Sequence, residues 1–270
     1  MQKLLSEAIV TAILAGKKIL EFYGRTEYEL KDDRSPITQA DIASNKLIIR
    51  HLSKIAPFPI CTEESLISLQ ERSNNEFYWL VDPLDGTKDF LVQTDHFTVN
   101  IALMRKHCPI FGIIYIPTLE KLYAGGEKFG FYGLRNENLK TFLDSPSWKK
   151  LNVLRYCQYS RLRLIGCDSK FHSSVEGLEF FKKYNLKKYI IGSSVKFCTL
   201  GLGLVDIYPR FNGSKEWDTA AGDAILRSVG GFLYDLKTQD ILQYGKEDLK
   251  NNFFIAFAPR LKNIYKDFLR

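Results

Sequence analysis

The stretch Phe77-Tyr78-Trp79-Leu80-Val81-Asp82-Pro83-Leu84-Asp85-Gly86-Thr87 passes from five consecutive apolar or aromatic side chains to two carboxylates, a proline and a glycine. A short run rich in aromatic and β-branched residues, ended by turn formers, reads as a buried strand. Pro83 then restricts φ, and Gly86 permits a left-handed turn, so the expected result is a compact loop bringing Asp82 and Asp85 toward one site. A carboxylate just past a strand end stands on a rigid support and faces a crevice.

Upstream, Leu4, Leu5, Ala8, Ile9, Ala12, Ala15, Ile19 and Leu20 recur near the helical period, which predicts an amphipathic helix over 3–22. A polar segment through Lys31-Asp32-Asp33-Arg34 and the break at Pro36 follow. Thr38-Gln39-Ala40-Asp41 is then a helix start, with Thr38 as cap and Asp41 completing a capping box. Phe58-Pro59-Ile60-Cys61-Thr62 is a second short apolar run, ending at Glu63-Glu64. Downstream, strands are expected at 97–104, 109–116, 121–124 and 128–132, giving an α+β first half with an antiparallel or mixed sheet.

The second half alternates. A strand near Leu164-Ile165, a helix near 175–183 and a strand at 189–191 precede Gly192-Ser193-Ser194, where Ser193 or Ser194 can cap a helix over 195–204 and present free N–H groups to an anion. A strand over 205–208 follows, then Asp218 as the N-cap of a helix over 219–229, a strand over 252–258 and a helix over 264–268. The polar stretch 135–150 suggests a division into an N-terminal lobe, 1–145, and a C-terminal lobe, 146–270.

Glu64, Asp82, Asp85 and Asp218, with the Leu84 carbonyl, would make an all-oxygen site suited to hard Mg²⁺ rather than to zinc. Clustered carboxylates resist joint ionisation, and a divalent cation removes that objection. Two ions roughly 3.5–4 Å apart can align a water with a phosphate ester and stabilise the leaving oxygen. The same residues also read as helix caps, surface ion pairs or a loop that binds no metal.

The whole chain narrows these choices. Its 270 residues, 45% hydrophobic, are enough to bury a core. Thirty-eight Lys and Arg against 31 Asp and Glu give +7, which favours anionic ligands in general. The basic residues fall in short scattered groups, so no nucleic-acid track is expected. Five cysteines without a CxxC pair, and four histidines without HExxH, argue against both a disulfide scaffold and a zinc centre. No stretch supplies the roughly twenty apolar residues that a membrane crossing needs. A cytoplasmic protein is the expectation, with peripheral attachment to the inner membrane left open and the oligomeric state unassigned.

Thr38-Gln39-Ala40-Asp41, Glu63-Glu64, Asp82-Pro83-Leu84-Asp85-Gly86-Thr87 and Trp217-Asp218-Thr219-Ala220-Ala221-Gly222, in this order, resemble the inositol monophosphatase superfamily. Gly192-Ser193-Ser194-Val195-Lys196-Phe197-Cys198 and Tyr208-Pro209-Arg210-Phe211 are similar to its CysQ-like 3′(2′),5′-bisphosphate nucleotidase branch. The resemblance implies a layered αβαβα sandwich of the sugar-phosphatase type and hydrolysis of adenosine 3′,5′-bisphosphate to AMP and phosphate, in the setting of sulfur metabolism. It implies two Mg²⁺ ions, or three, held by Glu64, Asp82, Leu84, Asp85 and Asp218. Asp41 and Thr87 would activate the attacking water. Gly86, Thr87, Ser193, Ser194, Lys196 and Arg210 would contact substrate, and Trp217 would pack beside Asp218.

One segment departs from the branch. Where relatives carry Ser-Arg-Ser-His, this chain has Cys167-Asp168-Ser169-Lys170, then Phe171-His172, with Lys170 keeping a positive charge. Inositol monophosphatase, fructose bisphosphatase and a noncatalytic anion- or nucleic-acid-binding protein are the alternatives to the nucleotidase reading.

Overall fold

The computed structural model describes residues 1–25, 27–32, 35–160 and 162–269. Asp33 and Arg34 of the expected polar segment lie outside them. The chain builds five layers. Helices α1 (Gln2–Leu20) and α2 (Gln39–Ile55) cover one face of a seven-stranded sheet. Its strands, in spatial and chain order, are Ile60–Thr62, Phe77–Asp85, Thr98–Arg105, Cys108–Ile116, Lys121–Gly126, Gly130–Arg135 and Asn152–Leu154. The first pair is parallel and the others antiparallel, so the sheet is mixed. Two short helices, α3 (Leu69–Asn74) and α4 (Thr87–Leu91), leave its strand ends, and α5 (Glu137–Asp144) packs against Gly130–Arg135.

The strand period of two explains the layering. Trp79, Val81, Ile101, Leu103, Ile113 and Tyr115 join the α1 and α2 side chains in one core. Tyr78, Leu80, Ala102, Met104, Ile114 and Ile116 point the opposite way, into a core shared with α7 (Val195–Gly201) and α8 (Glu216–Arg227). Beyond these helices lies a six-stranded sheet in the order Lys187–Ile190, Ile165–Asp168, Ile207–Arg210, Phe254–Phe257, Phe232–Asp235, Asp240–Ile241. Its far face is closed by α6 (Val175–Lys183) and the C-terminal 3₁₀ turns through Phe180, Phe181, Ile207, Phe257 and Phe268.

Close approach of α8 to the first sheet is set at Gly112. A Cβ there would stand 2.0 Å from the Ala221 carbonyl oxygen, so any larger residue would drive the helix off the sheet. The first sheet ends with Asn152–Leu154, and Trp148 and Leu151 pack into the α1–α2 core. The last strand of the first sheet thus ends at Leu154, and the next strand in the chain, Ile165–Asp168, belongs to the second sheet.

Several elements differ from expectation in detail. The α7 helix stops at Gly201, followed by Gly203 at φ +75°. The C-terminal helix is a 3₁₀ turn, Tyr265–Phe268. Asp82 and Asp85 lie on the strand itself rather than on a following loop. Asp82 pairs with Asn100 and Asp85 with Thr98, so three steps on one strand match two on the other, and the extra residue is accommodated by a bulge. The turn proper is Gly86, at φ +89°. Among the described residues no helix is long and apolar enough to cross a membrane, and Cys61, Cys108, Cys157, Cys167 and Cys198 are all free thiols.

Candidate active site

A cavity of about 420 Å³ opens between the strand ends of the first sheet and the starts of α7 and α8. Its acidic wall begins with Asp82, which shares the parity of Tyr78 and Leu80 and so faces α8. Asp82 is 1% exposed, and its Oδ1 accepts the Leu84 N–H at 3.1 Å. Burial, then the charges of Glu63, Asp85, Asp218 and Asp41, push its carboxyl well above the ordinary value.

The glutamate that meets Asp82 is Glu63, where the sequence reading chose Glu64. In the parallel pair, Thr62 lies opposite Val81, and Glu63 continues the ladder by donating its N–H to the Val81 oxygen at 3.1 Å. Cys61 packs with Tyr78 and Leu80, so strand parity carries Glu63 to the same face as Asp82 and Glu64 away from it. Only Glu63 of the two lines the cavity. Lys31 Nζ reaches both, 2.7 Å from Glu63 Oε1 and 2.5 Å from Glu64 Oε1, and this double contact raises its pKa against the opposing effect of burial.

Asp218 is the third residue of α8, not its N-cap. Lys215 holds the cap position, and its N–H donates to Asp218 Oδ2 at 2.8 Å. Burial, then the charges of Asp85 and Glu63, lift the Asp218 carboxyl to about 7. Trp217 beside it is buried in the central core. Asp85 Oδ2 accepts from Ser193 Oγ at 2.6 Å and from both Ser194 N and Ser194 Oγ at 2.7 Å, with Asn100 Nδ2 at 3.3 Å. The donors expected at the start of α7 for an anionic ligand are therefore directed at Asp85.

Asp41 does complete the capping box: Thr38 N and Oγ1 donate to Asp41 Oδ2 at 2.8 and 2.6 Å. Its other oxygen, Oδ1, is 3.3 Å from Thr87 Oγ1, which also lies 3.4 Å from the Leu84 carbonyl oxygen. Burial, augmented by Glu63 and Glu64, holds the Asp41 carboxyl at about 7. The cap contact and the approach to Thr87 use different oxygens of one carboxylate. Gly86, Thr87 and Leu84 all line the cavity.

Basic side chains line the same cavity. Lys196 is 3% exposed, with Nζ 2.9 Å from the Ser193 oxygen and 5.2 Å above the Tyr208 ring. Arg210 donates to the Gly213 oxygen at 2.9 Å, and Lys88 completes the charge. His172 and Lys88 are site residues that the sequence reading did not assign. Ser169 Oγ is 3.4 Å from Nδ1 of His172, which lines the cavity. Burial, then Arg210, Lys196 and Lys88, lower the His172 pKa to about 4 and keep its ring neutral. Lys170 instead points over Phe171, outside the cavity lining.

No three acidic, histidine or cysteine side chains among the described residues close on a single point at coordination distance. The donor chemistry nevertheless fits a hard divalent cation. Glu63, Asp82, Asp85 and Asp218 are all-oxygen donors on one cavity, and the Asp82 and Asp218 carboxyls are raised by burial and then by mutual repulsion, which a cation would relieve.

The chain matches the model of the inositol monophosphatase family over residues 1–264. It is 37% identical over 241 residues to the 3′(2′),5′-bisphosphate nucleotidase CysQ of Buchnera aphidicola, covering 85% of this chain and 83% of that one. With the protein of the same name from Escherichia coli K12 it shares 32% identity, covering 89% and 94%. The crystal structure of CysQ from Bacteroides thetaiotaomicron superposes with a TM-score of 0.82 at 35% identity, covering 96% of this chain and 98% of that one. Fold, site and similarity agree: this chain belongs to the inositol monophosphatase family.

Proposed function

We propose that the protein is a Mg²⁺-dependent 3′(2′),5′-bisphosphate nucleotidase that converts adenosine 3′,5′-bisphosphate and water to AMP and phosphate. The observation that carries the reading is one cavity lined by both charges: Glu63, Asp82, Asp85 and Asp218 together with Lys196, Arg210 and Lys88. A substrate with a phosphate at each end suits such a cavity. The reacting phosphate would lie by the carboxylates and the second phosphate by the cations. The named relatives, at 31–37% identity over most of the chain, support this choice of substrate.

Glu63, Asp82, Asp85, Asp218 and the Leu84 carbonyl would hold the metal, in two ions or three. Bound Mg²⁺ supplies charge neutralisation at the phosphoryl oxygens and lowers the pKa of water. The chain's own residues then do the positioning. Thr87 Oγ1 donates toward Asp41, leaving a lone pair to accept from the attacking water, and Asp41 Oδ1 is the proton sink. Attack forms a P–O bond to water oxygen and breaks the bond to the nucleoside 3′-oxygen; the proton that Asp41 takes from the water passes on to solvent, and solvent returns one to the departing 3′-oxygen, so that the step balances. Neutral His172 can donate a hydrogen bond without competing with Arg210 and Lys196 for the distal phosphate.

Measuring kcat/KM for adenosine 3′,5′-bisphosphate, inositol 1-phosphate and fructose 1,6-bisphosphate with added Mg²⁺ tests the assignment. Preference for an inositol or sugar phosphate would overturn the substrate. Absence of Mg²⁺-dependent phosphate release from all three, with salt-sensitive nucleic-acid binding, would favour the noncatalytic alternative.

A further inference from the structure

Behind the carboxylates, buried side chains from the first sheet reach across to the start of α7. Thr98 and Asn100, 0% and 1% exposed, lie on the strand that pairs with Phe77–Asp85 and share the face of Ala102 and Met104. Asn100 Oδ1 accepts from Thr98 Oγ1 at 2.8 Å. Asn100 Nδ2 donates to Ser194 Oγ at 2.8 Å and approaches Asp85 Oδ2 at 3.3 Å. The Ser194 hydroxyl lies 2.7 Å from Asp85 Oδ2 and 3.0 Å from the backbone oxygen of Asp218. Thr98 Oγ1 is also 2.7 Å from Ser193 Oγ.

Proton counting fixes the amide's orientation. Asp85 Oδ2 can only accept when ionised, so the side of Asn100 facing it must be the NH₂ group; the flipped amide would set carbonyl oxygen against carboxylate. Ser194 has one hydroxyl proton, placed between two acceptors, Asp85 Oδ2 and the Asp218 oxygen, and its own oxygen accepts from Asn100. The Ser194 hydroxyl, held in place by this amide, thus links a ligand position on the first sheet to another on α8, although the two are far apart in the chain.

Resting on the metal-dependent reading above, we infer that Asn100 is a positioning residue that sets the divalent-cation affinity of the site by holding Asp85 and the Ser194 hydroxyl that links it to the Asp218 backbone, without touching substrate. Groups that orient metal-binding carboxylates typically change affinity or activity by about 10–100-fold when removed. Its amide is also buried among partners that would be left unsatisfied by truncation.

The test is Mn²⁺ binding, followed by electron paramagnetic resonance, together with the Mg²⁺ concentration giving half-maximal activity. In Asn100→Ala, weakening of both by about tenfold or more is expected, with KM for adenosine 3′,5′-bisphosphate at saturating Mg²⁺ little changed and kcat largely recovered. Ser194→Ala keeps the backbone N–H bond to Asp85 and loses the bridge. It should weaken Mn²⁺ in the same direction, and the double variant should be no worse than the stronger single one. Thr98→Ser should retain wild-type affinity and Thr98→Val should not. Should Asn100→Ala fail to fold, the Ser194 and Thr98 variants decide. Wild-type Mn²⁺ affinity in Ser194→Ala and Thr98→Val, or a raised KM with unchanged Mn²⁺ binding in Asn100→Ala, overturns the inference. A wild-type protein that binds no Mn²⁺ would instead overturn the metal-dependent function itself.

Discussion

Replacing Asp218 by Asn should make the chelated protein more stable at pH 8 while abolishing much of its response to Mg²⁺. The Asp218 carboxyl sits at about 7 in the folded chain against an ordinary 3.8. A raised carboxyl means the folded state holds a proton that the unfolded state has released. Stability is then full below about pH 4 and is lost as pH rises toward 7. At about 1.4 kcal/mol per pH unit, the full shift would amount to roughly 4 kcal/mol. Asp218 lines a water-accessible cavity and titrates together with Asp85 and Glu63, so a realisable effect of about 1–3 kcal/mol is expected. Asparagine keeps the oxygen that accepts the Lys215 N–H, so the helix start survives. For a chain of this size the gain is about 2–8 °C in Tm. Differential scanning calorimetry in EDTA, at pH 5 and pH 8, should show the variant above wild type by the full margin at pH 8 and by roughly a third of it at pH 5. Adding Mg²⁺ at about 100 times its Kd should stabilise wild type by about 2.7 kcal/mol and the variant far less. A variant less stable than wild type in EDTA at pH 8, or one with the full Mg²⁺ response, would refute the electrostatic reasoning.

Thr87→Ala should lower kcat by about 10²–10³-fold with little change in KM or Mn²⁺ affinity, since the role proposed for its hydroxyl is to orient water against Asp41; unchanged single-turnover hydrolysis would remove that role. The ring of His172 should stay neutral down to about pH 4 in an NMR titration. Because its folded pKa is depressed, it contributes stability above pH 6.5 that is lost as pH falls toward 4, and His172→Gln should flatten that part of the acid limb. Gly86→Ala should cost about 1–2 kcal/mol for the left-handed φ of +89° and reduce activity, because its Cβ would meet Ser193 Cβ at 3.3 Å. Gly112→Ala, with Cβ 2.0 Å from the Ala221 oxygen, should prevent α8 from seating and give little folded protein on expression; a normal Tm would show that the helix can withdraw.

The local chemistry of this chain was legible from its residues. Apolar periodicity marked α1 and most strands, Thr38 and Asp41 announced the start of α2, and the spacing of Asp82, Asp85 and Gly86 announced a rigid acidic corner. What stayed hidden depended on pairing partners. Choosing Glu63 over Glu64 required the parallel register of Thr62 with Val81, which no property of two adjacent glutamates encodes. Placing Asp218 at the third position of α8 rather than at its cap turned on Lys215 pairing with Lys250 and then leading into the helix. Lys196 was expected to contact substrate, but its burial beside Tyr208 and the Ser193 carbonyl was not legible from the sequence. Asn100 carried no signal, being one polar residue in an apolar strand. Sequence by itself determined the oxygen-rich donor set, because residue type dictates which cation can be held. Only the tertiary structure decided which oxygens meet, because strand register and the seating of α8 against Gly112 bring together groups far apart along the chain.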